Sequence, residues 1–394
     1  MKQYTKAKEL LESLKIISDY RVDIGKIKYP LHEVLFMVIF SLLKGNTTFK
    51  DIWGWMIYNE NNPILKEIFQ KDKVEIPSKS TLHNILINTD NNALERVFRD
   101  YFSNFTKKDN VAVDGKWLKG SDANGQYVNE CHKAILNILD KDRKIVFAHK
   151  FLDKNKKSEI KALQEVFKED IFSDKGQIFS FDALHTQTDI LNEIDNKGDK
   201  YIAKVKGNQQ KLQDKIIETI DEIKEPIDRY IYEDLELSHD KKYVKRELEL
   251  FYSKSMDQIM YHSKFTNIQS LIRITKTLTD PLTKEKSVTT SYLMANFKTT
   301  AEDFHNKILA HWRVETYHYH LDMLLDEDDH IAYKEPFSIA ILRSFSLNLY
   351  QLFHNENKDK KVLPTGKTTM AEIKRTCKHN DDFTIDLFEQ EYYV

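Results

Sequence analysis

Residues 311–330 read HWRVETYHYHLDMLLDEDDH and are rich in side chains that bind metal ions. Five of the eight residues from Asp322 to Asp329 are acidic. Carboxylates this close repel one another and resist burial unless a cation compensates them. Helical spacing places four acids on roughly one face, namely Glu315, Asp322, Asp326 and Asp329. The stretch is therefore typical of either a divalent-metal site or a solvated acidic helix end.

A zinc site that uses histidines is a further interpretation of this stretch. His311, Glu315 and His318 have the i, i+4, i+7 spacing of a zinc site, but the stretch contains no HExxH motif. For Glu327 and Asp328 the sequence favours a solvated helix end. Acids at a helix C-terminus oppose the helix dipole, so the cluster as a whole does not serve to stabilise the helix.

Two further aspartates follow short apolar runs earlier in the chain. Asp114 lies in NVAVDGK and Asp182 in IFSFDALH. Periodicity over residues 107–209 predicts the order β-β-β-α-β-α-β, which is typical of a ribonuclease-H-like sheet. In that topology the first and fourth strands are adjacent, so the two carboxylates meet at one edge. Taken alone, each aspartate is more typical of a turn at a strand end than of a catalytic site.

An acid on a helix beside that edge would bring three carboxylates together. Hard oxygen ligands at this density suit Mg²⁺ or Mn²⁺. Two such ions stabilise both the attacking and the leaving oxygen when a phosphodiester is displaced. The spacing of acids therefore predicts phosphodiester chemistry.

Composition limits the class of protein. The chain has 394 residues, a net charge of −2 and 41% hydrophobic residues, which suits two or three structural units with ordinary cores. The two cysteines form no CxxC pair, which favours a reducing compartment. The longest apolar run, residues 34–43, is too short to span a bilayer. We expect a soluble, cytoplasmic protein.

The predicted fold class is α/β, a ribonuclease-H-like core with a β-rich insertion, preceded by an all-helical N-terminal domain. Short capped helices in the first segment fit either a helix-turn-helix unit that binds DNA or an ordinary helical bundle. The predicted segments are residues 1–106 for the helical domain, 107–222 for the first part of the core, 223–299 for the insertion, 300–355 for the final core helices and 356–394 for a tail without an assigned role.

Four motifs in matching order resemble DDE transposases of the H-repeat-associated insertion-sequence family. They are VAVDGKWLKGS (111–121), FSFDALHTQ (179–187), DKYIAKVKGNQQKL (199–212) and HWRVETYHYHLDMLLDED (311–328). DYR (19–21), YPLHEVLFMVIFSLLKG (29–45) and IPSKSTLHNIL (76–86) resemble the associated N-terminal region of that family. The resemblance covers nearly the whole chain.

The resemblance implies a catalytic triad of Asp114, Asp182 and Glu315 that binds two divalent ions, with Asp322 as a further acid behind them. Family members usually carry an arginine six residues before the glutamate and an asparagine directly after it. Here those positions are Leu309 and Thr316.

The resemblance also gives roles to basic, amide and aromatic groups near the motifs. Lysines that follow the catalytic strands are candidates for phosphate contacts, and aromatic rings near the glutamate are candidates for stacking on an unpaired base. The candidate DNA-binding residues are Lys116, Lys119, Lys204, Lys206, Asn208, Gln209, His311, Trp312 and Arg313. As isolated residues, the lysines are equally typical of a solvated surface. The aromatic residues, taken alone, are more typical of core packing than of stacking on a base.

The resulting hypothesis is a bacterial DNA transposase that binds terminal inverted repeats, cleaves a strand at the element end and transfers the 3′-hydroxyl to target DNA. Two ends must be brought together, so we expect a homodimer on DNA. Two alternatives stay open. One is a catalytically silent, DNA-binding remnant, suggested by Leu309 and Thr316. The other is a structure-selective nuclease with the same core.

Overall fold

A computed structural model describes residues 4–21, 27–118, 133–152, 155–168, 172, 175–182, 186–237, 242–252, 256–328 and 335–391. The chain divides into two compact units. The first contains residues 1–107, 115–159 and 314–394, and the second contains residues 108–114 and 160–313. Each unit is described by itself.

The N-terminal part of the first unit is helical, as the sequence predicts. Its helices are α1 (Thr5–Leu14), α2 (Leu31–Leu43), α3 (Phe49–Tyr58), α4 (Pro63–Phe69), α5 (Lys79–Asn88) and α6 (Asn91–Ser103). The predicted caps are present, since Thr48 accepts from the Asp51 amide and Ser78 from the Thr81 amide. Helix α2 is apolar all round and almost wholly buried, as expected of a core helix.

The C-terminal helices complete the first unit. They are α12 (Arg313–Leu325), α13 (Phe337–Asn357), α14 (Met370–His379) and α15 (Asp381–Glu389). Helix α13 is buried along most of its length and packs on α2 and α6. The C-terminal tail, to which the sequence analysis assigns no role, contacts helix α1. The Glu389 carboxylate accepts from the amides of Lys6 and Ala7 in the first turn of α1.

Within the described residues the strands form one nine-stranded sheet in the order β3-β2-β1-β4-β5-β9-β8-β7-β6. Strands β1 and β4 are parallel, as are β4 and β5, whereas β2 and β3 are antiparallel. The strands are β1 (Asn110–Trp117), β2 (Ala134–Asp140), β3 (Ile145–Leu152), β4 (Ile178–Phe181), β5 (Lys200–Val205), β6 (Asp228–Leu237), β7 (Tyr243–Phe251), β8 (Ser270–Thr279) and β9 (Lys286–Ala295). The first five strands have the predicted ribonuclease-H-like order.

The β-rich insertion extends this sheet. Strand β9 pairs antiparallel with β5, and β8, β7 and β6 follow as an antiparallel meander. In the described part of the chain, four helices lie between strands: α7 (Asn155–Lys168), α8 (Thr188–Asn196), α9 (Gln210–Ile223) and α10 (Met256–Ser263). The sequence prediction contains the first two and lacks α9 and α10. Helix α11 (Ala301–His311) follows the insertion and packs on β4, β6 and β7. No helix in the described part of the chain has the length and hydropathy needed to cross a membrane.

The predicted single helix from Thr300 to the acidic cluster is wrong in two respects. Helix α11 ends at His311, and α12 begins at Arg313 after a turn at Trp312, whose amide donates to the Leu309 carbonyl. Helix α12 then ends at Leu325, because Asp326 has φ of 49°, in the left-handed region. Asp326 therefore does not continue the helical face of Glu315 and Asp322, and Asp329 lies outside the described residues.

Candidate active site

Of the two predicted catalytic aspartates, Asp114 lies on β1 and Asp182 directly follows β4, the parallel neighbour of β1. Ala112 of β1 is paired with Ser180 of β4, and Asp114 and Asp182 each lie two residues further along. Adjacent strands are about 4.8 Å apart, and residues two apart on a strand share a face. The predicted adjacency of the first and fourth strands is confirmed, and the register places the two aspartates at the same edge.

The Asp182 carboxylate lies beside a cation. Its Oδ1 is 3.1 Å from Nζ of Lys206, and both side chains are about half exposed. Lys206 follows β5, which is parallel to β4. Thr186 contacts β5, because its Oγ1 donates to the carbonyl of Lys204 at 2.7 Å. The same oxygen lies 3.3 Å from the carbonyl of Asp182, to which it can also donate. Ends of neighbouring strands thus place an exposed ammonium next to an exposed carboxylate.

The predicted amide contacts are only partly described. Gln209 donates a hydrogen bond through Nε2 to the Thr186 carbonyl, so its amide group is used within the protein. The Asn208 side chain and all of Lys119 lie outside the described residues. Lys204 is half-buried on β5.

The end of α11 meets the face of β4 that carries Ser180. Nδ1 of His311 is 2.9 Å from Oγ of Ser180. The next residue, Trp312, is 38% exposed, and the Arg246 guanidinium lies 5.1 Å from the centre of its ring. This distance is typical of a cation–π contact. Arg313 is half-buried. The indole of Trp312 is therefore positioned by an arginine from β7 and remains partly open to solvent.

Glu315 belongs to the other compact unit, in the first turn of α12, and its side chain is exposed. Among the described residues, no group of three or more His, Cys, Asp or Glu side chains is arranged to bind a metal ion. His318 is half-buried, and its Nε2 lies 2.8 Å from Nδ2 of Asn137.

Three acids at and after the end of α12 lie around one lysine. Nζ of Lys116, on β1, lies 2.6 Å from Asp322, 3.4 Å from Asp328 and 3.7 Å from Glu327. Lys116 is only 7% exposed. Burial lowers the pKa of Lys116, but the carboxylates, Glu327 first, outweigh it and the pKa is raised. Burial also raises the pKa of Glu327.

This cluster corrects two sequence predictions. Lys116 is not available to DNA phosphates, because its ammonium is buried among carboxylates. Asp322 accepts a hydrogen bond from Lys116, and its place behind a metal ion stays a prediction. Glu327 and Asp328 are not solvated, since Glu327 is buried and Asp328 faces the lysine. Lys116 lies more than two hundred residues before these acids, so no local sequence pattern predicts the contact.

Family comparisons cover most of the chain. A profile described as "Transposase DDE domain" matches residues 106–346, more than half of the chain. A second, described as "DDE_Tnp_1-associated", matches residues 11–102. The two matches divide the chain close to the end of α6.

Among similar curated proteins are three from Escherichia coli. "Putative protein YbfL" of strain K12 is 25% identical over 82% of this chain and 84% of its own length. "Putative transposase YncI" of O157:H7 is 24% identical over 81% of this chain and 80% of its own length. "H repeat-associated putative transposase YhhI" of strain K12 is 24% identical over 82% of this chain and 84% of its own length.

A solved structure, the piggyBac transposase synaptic complex with hairpin DNA, aligns with a TM-score of 0.48 at 10% identity, covering 99% of this chain and 79% of that chain. The family is shown by the sequence matches and agrees with the observed order of strands. With its DDE domain and its associated N-terminal region both matched, the chain belongs to the DDE transposase family, and H repeat-associated proteins are among its relatives.

Proposed function

We propose that this protein cleaves DNA at the ends of its own insertion element and joins the freed 3′-hydroxyl to target DNA. The observation that carries the proposal is the register of β1 and β4, in which Ala112 is paired with Ser180, so that Asp114 and Asp182 each follow two residues later. Membership of the DDE transposase family supports the same chemistry. Glu315 is the third acid of the proposed triad because it lies in the motif that resembles the family's glutamate motif.

The proposed ligands suit two divalent ions, Mg²⁺ or Mn²⁺. Asp114, Asp182 and Glu315 provide hard carboxylate oxygens, and the Asp182 carboxylate already lies beside the Lys206 ammonium. When bound, such ions activate the attacking oxygen and stabilise the leaving oxygen. The protein's own part is to position the scissile phosphate and to compensate its charge.

Groups near the sheet edge would contact DNA. Lys206 is exposed and can bind a phosphate. Trp312 is partly exposed and backed by Arg246, which suits stacking on an unpaired base. Lys204, Asn208, Gln209, His311 and Arg313 remain proposed contacts beside them, as does Lys119.

In this proposal, terminal inverted repeats are bound by the helical region that the associated profile matches. The reaction is performed by the core, residues 107–222 and 300–355, and the sheet is extended by the insertion, residues 223–299. We further propose that two copies assemble on DNA, since two ends must be joined to one target, and that the protein acts in the bacterial cytoplasm, where its DNA is.

The test is a reaction of the full chain with DNA that carries the sequence flanking its gene, with Mg²⁺ or Mn²⁺. Nicking at a defined boundary followed by joined products supports a transposase. Nicking without joined products at any target concentration would indicate a nuclease. Binding without nicking would indicate a silent remnant, the outcome suggested by Leu309 and Thr316.

A further inference from the structure

A cleft with polar and apolar walls lies beside α3 in the first compact unit. It consists of two adjoining cavities of about 630 and 660 Å³, which share Asn46, Trp55 and Asn59 as walls. Each volume is in the range of small-ligand sites. We refer to the two cavities together as the α3 cleft.

Gly54, in the middle of α3, lines this cleft. Among the described residues, and apart from its chain neighbours and the backbone of its own helix, a Cβ atom built on Gly54 would meet no heavy atom within 4 Å. Its backbone is helical, so no unusual dihedral angle requires glycine. Glycine inside a helix costs about 0.5–1 kcal/mol relative to alanine. A residue that destabilises its helix without relieving an internal clash is typical of a place where a ligand approaches the backbone closely.

The residues one turn before and after Gly54 define the chemistry of that approach. Lys50 and Tyr58 lie four residues on either side, so the three residues share one face of α3. Lys50 is exposed, and Tyr58 is 89% exposed. This face of α3, which we call the strip, therefore presents the Lys50 ammonium, the bare backbone at Gly54 and the Tyr58 ring in succession.

The shared walls are rigid and suited to planar polar groups. The indole of Trp55 stacks on Phe40, with ring centres 5.5 Å apart and planes at 24°. Asn59 donates to the Trp55 carbonyl at 2.8 Å, and Asn46 donates to the Ser41 carbonyl at 3.2 Å, which fixes both carboxamides. A preformed wall of this kind lowers the entropic cost of binding.

The far side of the cleft is positively charged. Lys378 and His379, at the end of α14, are exposed there. The acid that lines this side, Asp381, is paired with Lys44 and accepts from Asn62 at 2.8 Å. Lysines therefore face the cleft from both sides. Of the two acids that line it, Asp381 is compensated by Lys44, and Asp51, on α3, is exposed and accepts a hydrogen bond from Thr48.

We propose that the α3 cleft binds a strand of DNA, with phosphates at Lys50 and Lys378, the sugar–phosphate backbone passing over Gly54, and Tyr58 against a sugar or base. Lysines on either side of a rigid aromatic and amide wall are the combination that nucleic-acid strands use. A purely apolar partner would leave these cations without compensation. The inference rests on the proposed function, in that DNA is the substrate, and adds a binding surface on the helical unit.

The test measures binding of labelled single-stranded and duplex forms of the element end to the full chain by fluorescence anisotropy over a range of salt. Gly54→Ala should raise the melting temperature, since alanine favours the helix, yet weaken binding, because a methyl group occupies the path of the strand. Tyr58→Ala should weaken binding about tenfold. Lys50→Gln should reduce the slope of log K against log salt by about 1. The single-stranded and duplex arms show which form the cleft takes.

Matched controls separate the cleft from general effects. Tyr261→Ala removes a tyrosine that is 83% exposed on α10, and Lys361→Gln removes an exposed lysine outside both cavities. Both should bind DNA like wild type. Unchanged affinity in all three cleft variants, while wild type binds and cleaves, would overturn the cleft and leave the proposed function standing. A Gly54→Ala variant that lost self-association but kept DNA affinity would show that the strip packs against a second copy, and would also overturn it. Wild type that bound neither form of DNA would reject the proposed function itself.

Discussion

The ammonium of Lys116 lies 2.6 Å from Oδ1 of Asp322 and joins the end of β1 to α12 inside the first compact unit. Lys116 follows Asp114 by two residues, and Asp322 follows Glu315 by seven. Three acids of the stretch that looks like a metal site in the sequence, Asp322, Glu327 and Asp328, therefore surround one buried lysine. Its role in the structure is to connect two elements that also contain proposed catalytic acids.

Lys116→Met is expected to destabilise the protein. Removing one partner of a buried ion pair leaves uncompensated carboxylates and costs about 3 kcal/mol or more. The measurement is the free energy of unfolding in urea. Adding Glu327→Gln to this variant should recover part of the loss, because one buried negative charge is removed. A Lys116→Met protein as stable as wild type would mean that the cluster contributes nothing to the fold.

His149 on β3 should make the protein sensitive to acid. Its ring packs on Phe98 with centres 4.4 Å apart, and among the described residues neither ring nitrogen has a hydrogen-bond partner. Burial lowers its pKa to about 3. Between its ordinary pKa of 6.5 and about 3, the unfolded chain binds a proton that the folded chain does not, so stability falls as the pH falls through this window.

His149→Phe should therefore flatten the dependence of unfolding free energy on pH between about 6.5 and 4, by an amount on the order of a few kcal/mol. The measurement is urea unfolding at several pH values. His379→Phe provides the control, because it replaces an exposed ring. An equal flattening in both variants, or none in His149→Phe, would contradict the assignment.

Lys206→Gln should affect DNA binding more than stability. Its ion pair with Asp182 is about half exposed, and such pairs contribute at most about 1 kcal/mol. If Lys206 contacts a phosphate, affinity should fall evenly across DNA sequences and the salt slope should decrease by about 1. Salt titrations of DNA binding provide the measurement. Sequence-dependent losses would instead indicate a base contact.

The sequence predicts the core well because the strands near the proposed catalytic acids are short apolar runs bounded by polar turns. Strand β4 and its Asp182 are identified by FSFD, and the parallel pairing with β1 follows from the order of elements. The turn at Asp140 is also local, because its carboxylate accepts from the amides of Asp142 and Arg143.

The sequence fails where a distant partner decides the structure. Helical periodicity continues through Trp312, yet the helix is interrupted there, with the Arg246 guanidinium over the indole ring. The Glu389 carboxylate caps α1 from the opposite end of the chain. Such contacts join residues that are far apart in the sequence and that no local pattern pairs.

The central claim is that Asp182 is a catalytic acid, and metal-dependent nicking of the element end by Asp182→Asn tests it most directly. Asp189→Asn is the matched control, because it removes an exposed acid on α8. We predict that Asp182→Asn binds DNA and melts like wild type but nicks slower by on the order of a hundredfold or more, while Asp189→Asn nicks normally. Wild-type nicking by a folded Asp182→Asn protein would contradict the account.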